Sequence, residues 1–389
     1  MEFGSQHIEQ APNISRFSER FSPGEIIRLL DGYVPSTREV KTLLKKESLA
    51  LSDIARLIRA FENESHRSDI IDETIHRRQE TWNGELYLMS PFYVSNGDPE
   101  AKGCQDYCVY CPWRHGNVPA NKLIRLTPTE IKNGVHHLLK LGYGDVELVM
   151  ATDPKFRDAD SAAHIVRAAK EAGAKNIGIN FFPFESPEDY EKLAKAGCTF
   201  SIVWQETYIP YLYKTIHPRG PKAIMERRLN AHDCALQGGI KTVGVGFLGG
   251  LADWRFEALV AIDHASYLRE EYNANIIFGM PRWKAGGDVP LAFAPAPYGD
   301  TEYEFVGMLY SLAMPEALPW FSTREDFDLS AHAARGGGCM FTLDCSTAVN
   351  YDDKDGASQF PVNSYPFKCG MKQLKQLGFN PQVHLPWKN

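Results

Sequence analysis

The sequence predicts an α/β protein: a (β/α)8 TIM-type barrel with an N-terminal helical extension. Three observations carry that expectation. From about residue 90 onward, short apolar runs alternate with helical segments, the pattern of β/α units around a parallel sheet. The apolar runs number eight, and a 389-residue chain has room for the roughly 250 residues that such a barrel takes. Several of the intervening helical stretches end in glycine (Gly142, Gly173, Gly197, Gly238), the residue that most easily takes the left-handed conformation closing a helix.

In chain order, residues 1–84 read as a helical extension and 85–389 as the barrel with its C-terminal segment. Within the extension, Ser22-Pro-Gly-Glu25 opens one amphipathic stretch. Ser36-Thr-Arg-Glu39 has the form of a capping box, Leu51 and Ser52 precede a third helix, and Asp69–Trp82 reads as a fourth. All four are expected to lie against the outside of the barrel. The predicted strands are Pro91–Ser95, Asp145–Thr152, Asn176–Phe182, Phe200–Thr207, Lys241–Gly249, Asn275–Met280, Trp320–Thr323 and Cys339–Asp344. Between them fall helices at Thr129–Leu141, Ala159–Ala172, Pro187–Ala196, Pro221–Leu236, Trp254–Glu271 and Thr301–Ala313. In such a barrel, functional groups gather where strands end and βα loops begin.

Bulk properties narrow the function classes. A net charge of −7 argues against nucleic acid or an anionic membrane as the main partner. No apolar run is long enough to span a bilayer, and residues 1–7 lack the features of a signal peptide. Eight cysteines in so long a chain are not a disulfide framework, and thiols kept free imply a reducing, cytoplasmic setting.

The most informative stretch is Cys104-Gln-Asp-Tyr-Cys108-Val-Tyr-Cys111, in the first βα loop. Its C-x3-C-x2-C spacing can hold three corners of a 4Fe–4S cube and leave the fourth iron open to a small molecule. The alternative is a structural zinc with His115 as fourth ligand, although such sites favour paired C-x2-C knuckles. Cys339, Cys345 and Cys369 are irregularly spaced and read as free buried thiols, and Cys198 and Cys234 read as core. The spacing resembles that of the radical S-adenosylmethionine (SAM) enzymes. The resemblance implies two cofactors, a 4Fe–4S cluster and SAM, with one-electron cleavage of SAM to a 5′-deoxyadenosyl radical. It also implies an external one-electron reductant of the flavodoxin or ferredoxin kind.

Polar residues at strand ends supply further candidates. Asn180, amid Phe181, Phe182 and Phe184, is either a ligand contact or a turn former before Pro183. Gln205 and Glu206 emerge from an apolar run, where an unpaired carboxylate would be costly. A larger ordered set then sharpens the resemblance: Gln205-Glu-Thr-Tyr208, His217-Pro-Arg-Gly-Pro-Lys222, Arg227-Arg-Leu-Asn230, Val243–Leu251 with Asp253-Trp-Arg255, Pro281-Arg282, Ser322-Thr-Arg-Glu325 and Ala357-Ser-Gln-Phe360. Together these are similar to the aromatic amino acid lyases among radical SAM enzymes, over about residues 85–389.

That likeness implies a lyase that cuts a carbon–carbon bond of a tyrosine- or tryptophan-like amino acid, after hydrogen loss from its amine. It implies cofactor contacts at Tyr110, Thr152, Asp153, Asn180, Gln205, Glu206 and Tyr208, with Cys104, Cys108 and Cys111 on the cluster. Arg282 and Arg324 become candidate carboxylate clamps beside Glu206, and Trp204, Phe182, Trp283 and Phe321 a candidate ring pocket. The chain departs from the group at Asp153-Pro154, where a Gly-Glu pair is usual. It departs again at Pro281-Arg-Trp-Lys284, where a second Arg has become Lys. A radical SAM enzyme acting on a different small molecule, or a non-catalytic iron–sulfur or zinc scaffold, are the alternatives.

Overall fold

The computed structural model describes residues 16–351 and 358–387. Residues 1–15 of the expected extension and Ala357 of the last motif lie outside them. Ten strands form one parallel sheet: β1 Glu85–Leu88, β2 Ser90–Ser95, β3 Val146–Met150, β4 Ile177–Asn180, β5 Phe200–Ile202, β6 Thr242–Gly246, β7 Asn275–Gly279, β8 Leu318–Phe321, β9 Cys339–Phe341 and β10 Asn380–Gln382. The order is β10-β1-β9-β8-β7-β6-β5-β4-β3-β2. β1 and β2 are consecutive halves of one extended segment, parted only at Met89. Its first half pairs with β9 and its second with β3, so the sheet curls round and the eight-stranded ring returns to itself.

Side-chain alternation explains why the ring holds. One set of strand residues faces inward as a separate apolar cluster: Tyr87, Met89, Phe200, Ile202, Ile277, Leu318, Trp320 and Met340. Their neighbours in sequence, such as Leu86, Leu88, Ile276, Phe278, Phe321 and Phe341, face outward into the main core. Period-two geometry dictates that division. Inward glycines admit bulky partners: a Cβ at Gly178 would lie 1.8 Å from the Phe200 ring, and one at Gly279 2.3 Å from that of Trp204.

The C-terminal tail stops the bottom of the ring. Leu385 joins the inner cluster, and the fully buried Asp145 carboxylate accepts from Leu385 N (2.7 Å), Asn176 Nδ2 (2.8 Å) and Asn176 N (3.1 Å), with His384 Nδ1 at 2.9 Å. The N-terminal helices pack outside. Helix Glu64–Trp82 sends Arg78 into the core, where it donates to the carbonyls of Gly307 (2.7 Å) and Ala333 (2.8 Å) and to Ser311 Oγ (2.8 Å).

All eight expected strands are present, most with trimmed ends, while β2 begins one residue and β8 two residues earlier than expected, and the Ser36 capping box is formed. β1 and β10 were not expected. The single helix expected over Pro221–Leu236 is three pieces, Pro221–Ala223, Met225–Leu229 and Ala231–Gln237. Asn230 interrupts it at φ −95° and ψ 2°, its Oδ1 accepting from Ser18 N at 3.2 Å. Cys369, expected buried, is exposed.

Candidate active site

A cavity of about 200 Å³ opens at the C-terminal ends of the strands, where the barrel geometry places function. Its wall includes all three motif cysteines, with Tyr110, Thr152, Asn180, Phe182, Trp204, Glu206, Lys222, Arg228, Trp283, Trp320 and Arg324.

The cysteine loop, residues 104–111, follows β2 and is tied to its neighbours through the backbone. Gln105 N donates to Thr152 O (2.9 Å), Tyr107 N to Arg219 O (3.2 Å) and Val109 N to Ile216 O (3.0 Å). Asp106 anchors it further, accepting from Thr152 Oγ1 (2.5 Å) and Lys222 N (2.7 Å). Asp106 N also points at Cys104 Sγ (3.4 Å), and Gln359 Nε2 at Cys111 Sγ (3.8 Å), as donors that temper thiolate charge. Burial pushes all three thiols up, Cys108 to about 12, so thiolates form here only with a cation to share their charge.

The cysteines line one cavity, yet among the described residues no three His, Cys, Asp or Glu side chains converge as they would on a single ion. His115, the would-be fourth zinc ligand, instead directs Nδ1 at the Cys104 carbonyl (2.9 Å). Three sulfurs lining one cavity, with amide donors beside them, fit an iron–sulfur cube.

Next to the cluster loop lies a polar relay. Glu206 follows β5 at φ +70°, a left-handed conformation that costs a non-glycine residue about 1–2 kcal/mol. A one-residue parallel bridge to Phe247 and the bond from Leu248 N to Glu206 O (2.9 Å) hold it there. Its carboxylate takes Lys222 Nζ at 2.6 Å, with Arg228 at 4.0 Å. Burial alone would raise its pKa, but Lys222 and Arg228 outweigh burial and leave it lowered and ionised. Lys222 Nζ also donates to Tyr110 Oη (2.9 Å), which lies 2.9 Å from His217 Nε2. Burial and the two cations keep His217 neutral. With Nδ1–H donating to Tyr213 O (3.0 Å), Nε2 is left to accept from Tyr110.

Arg324, beyond the end of β8, is part-buried and lines the cavity, and no carboxylate lies within ion-pair distance among the described residues. One N–H reaches Arg282 O (3.2 Å), and the guanidinium lies 3.4 Å over the Phe360 ring. Burial lowers its pKa.

Four expected residues do not face the cavity. Asp153 is buried and spoken for by Arg125 (2.7 and 2.5 Å) and Ser95 (2.7 Å). Gln205 points away from its neighbours Trp204 and Glu206 by strand alternation, and its buried amide has no partner among the described residues. Tyr208 is fully buried between barrel and helix, its Oη 3.0 Å from His264 Nδ1. Arg282 is engaged by Glu325 and by Asp300 (2.6 Å), with Lys284 also on Glu325 (3.0 Å). In the expected ring pocket, Phe321 faces the outer core, and Trp320 takes its place on the wall.

Tyr93, Glu147, Thr323 and Thr347 also line the cavity and were not singled out from the sequence. Glu147 carried the same signal as Glu206, an acid inside an apolar run.

Comparison with known proteins agrees with this geometry. Residues 101–261 match the profile of the Radical SAM superfamily. The 2-iminoacetate synthase of Salmonella typhimurium is 27% identical over 242 residues, and that of Escherichia coli K12 26% over 241. Each alignment covers 60% of this chain, and the chain spans 60% of the length of these curated relatives. Among solved structures, a HydG maturase of the FeFe-hydrogenase superposes with a TM-score of 0.84 at 22% identity, over 96% of this chain and 81% of that one. HydG from Carboxydothermus hydrogenoformans gives 0.81 at 24%, over 94% and 86%. Methylornithine synthase (PylB) gives 0.65 at 20%, over 93% and 97%. These likenesses establish the shared barrel. The three-cysteine loop at the mouth of that barrel lies within residues 101–261, the stretch similar to the Radical SAM superfamily, whose members use a 4Fe–4S cluster and SAM.

Proposed function

We propose that the protein is a radical SAM carbon–carbon lyase that fragments an aromatic, tyrosine- or tryptophan-like amino acid. The observation that carries this reading is Arg324: a part-buried guanidinium in the same cavity as the cluster cysteines, with no carboxylate partner among the described residues. A cation in that position costs free energy until an anion arrives, and its planar fork matches a carboxylate. The aromatic wall of Trp204, Phe182, Trp320 and Tyr93 supports a ring-bearing side chain. The names of two relatives point the same way, because 2-iminoacetate is what remains of an α-amino acid once its side chain has left.

Cys104, Cys108 and Cys111 hold the cluster, which with SAM supplies a 5′-deoxyadenosyl radical when an external one-electron donor reduces it. Tyr110, Thr152, Asn180 and Glu206 line the cavity beside the cysteine loop and are the residues assigned to SAM. Lys222 keeps Glu206 ionised and positioned, and Arg228 adds to its field. Arg324 takes the substrate carboxylate and so aims the amine toward the cluster side of the cavity. The aromatic wall excludes water from the reacting atoms. Asp153, Tyr208 and Arg282, held by protein partners, serve to support these groups.

The test is an anaerobic assay of the reconstituted enzyme against the common amino acids, following 5′-deoxyadenosine together with side-chain products. An aromatic amino acid should give both in step. If no amino acid raises 5′-deoxyadenosine above the background of SAM alone, the lyase reading is wrong.

A further inference from the structure

Glu147 lies on the inner face of β3, below the mouth. The ladder sets Pro91, Glu147 and Gly178 in one layer, and Tyr93, Val149 and Asn180 in the layer above. Elsewhere the ring interior is filled by apolar side chains, among them Phe200, Ile202 and Leu318. Glu147 is 3% exposed and lines the cavity. One oxygen accepts from Asn180 Nδ2 at 3.1 Å, and the carboxyl has no other hydrogen bond and no ion pair among the described residues.

Asp233 Oδ2 and Glu325 Oε1 also lack a hydrogen-bond partner among the described residues, but neither residue lines the cavity, and three further buried acids are well engaged. Asp145 has four donor groups, Asp153 has Arg125 and Ser95, and Glu257 has Thr207 Oγ1 (2.5 Å) and Tyr208 N (2.8 Å). A carboxyl left half-satisfied in an apolar layer is costly, and nothing in the fold requires one there. Glu147 lines the same cavity as Arg324 and the aromatic wall. A substrate held by Arg324 would extend its side chain toward Glu147. Burial raises the Glu147 pKa to about 8, so at neutral pH the group mostly carries its proton and can both donate and accept.

We propose that Glu147, oriented by Asn180, recognises an uncharged hydrogen-bonding group at the far end of the substrate's aromatic side chain, such as a phenol hydroxyl or an indole N–H. The proposal rests on the amino acid reading above and adds the determinant of side-chain choice. A site built around such a bond rejects a substrate lacking it, because its own polar group is then left unpaired.

The experiment uses the reconstituted holoenzyme with SAM and no reductant, so that binding is measured without turnover. Calorimetric titration with tyrosine, tryptophan, phenylalanine and lysine gives the affinities. Wild-type enzyme should favour tyrosine or tryptophan over phenylalanine by about tenfold or more. Glu147→Leu should bring the ratio to within about threefold, with phenylalanine bound no worse than before. That crossed effect is not produced by a merely damaged fold. Glu147→Gln, which still offers a donor and an acceptor, should restore most of the preference. An unchanged ratio in Glu147→Leu overturns the assignment while leaving the aromatic amino acid reading standing; lysine binding best to wild type overturns both. If wild type binds none of the four, both readings fall. Should the Leu variant not fold, wild type decides alone, and equal affinity for the three aromatic amino acids overturns the proposal.

Discussion

Replacing Arg324 with Lys should uncouple SAM cleavage from substrate breakdown. Of the five N–H donors of a guanidinium, one is spent on Arg282 O at 3.2 Å, and the plane is fixed by the Phe360 ring 3.4 Å away. The remainder can make a two-pronged contact with a carboxylate inside the aromatic-walled cavity. A lysine keeps the charge but can neither fork nor stack, so the carboxylate loses one charge-assisted bond and its fixed orientation. Truncating such a desolvated contact costs about 2–5 kcal/mol, which is roughly 30-fold to several-thousand-fold in productive binding. Geometry adds to the loss, since a small misplacement of the amine takes it out of reach of the reacting atoms. The assay measures 5′-deoxyadenosine and side-chain product in the same vessel. In Arg324→Lys the first should continue while the second collapses. If the two stay coupled at the wild-type rate, the carboxylate is not held at Arg324 and the reasoning fails.

Changing Cys104, Cys108 or Cys111 singly to Ala should abolish iron and sulfide retention and 5′-deoxyadenosine formation, with the thermal melting of the barrel kept. An active, cluster-bearing variant would remove the cluster assignment. Glu206→Gln should raise the KM for SAM by about 10- to 100-fold, because Lys222 and Arg228 then face each other without their anion. Unchanged SAM kinetics in a stable variant would reduce Glu206 to a structural ion pair. Stability should also depend on pH through Glu257, whose pKa burial lifts from 4.5 to about 8. The folded state keeps that proton while the unfolded chain loses it, so stability should fall between about pH 5 and 8, by up to about 1.4 kcal/mol per unit. Glu257→Gln should reduce that slope in thermal unfolding, leaving the part that Glu147 contributes, and an identical slope in both proteins would contradict it.

The barrel was legible because each strand runs as an apolar stretch between polar breakers, and because helices close on glycine. β10 was not, since Asn380-Pro-Gln382 carries no apolar signal and pairs only because the tail is pinned at Asp145. β1 was hidden because the chain makes its two ladders with successive halves of one segment, a feature of closure and not of pattern. At the site, the cysteine loop could be read from spacing alone. The fates of Asp153 and Arg282 could not, because their partners Arg125 and Glu325 lie 28 and 43 residues away in sequence. Strand alternation, applied residue by residue, would have separated Trp320 from Phe321 and Gln205 from Glu206. It would also have brought Glu147 inward with Val149.

The central claim is that the cavity directs the amine of an amino acid, and not one of its carbon-bound hydrogens, at the reacting centre. Turnover in deuterium oxide tests this most directly, because amine hydrogens exchange with solvent and carbon-bound ones do not on this timescale. With unlabelled substrate, the first-turnover 5′-deoxyadenosine should carry one deuterium by mass spectrometry. If it carries none, while a carbon-deuterated substrate in ordinary water passes its label on, the hydrogen comes from carbon and the account is contradicted.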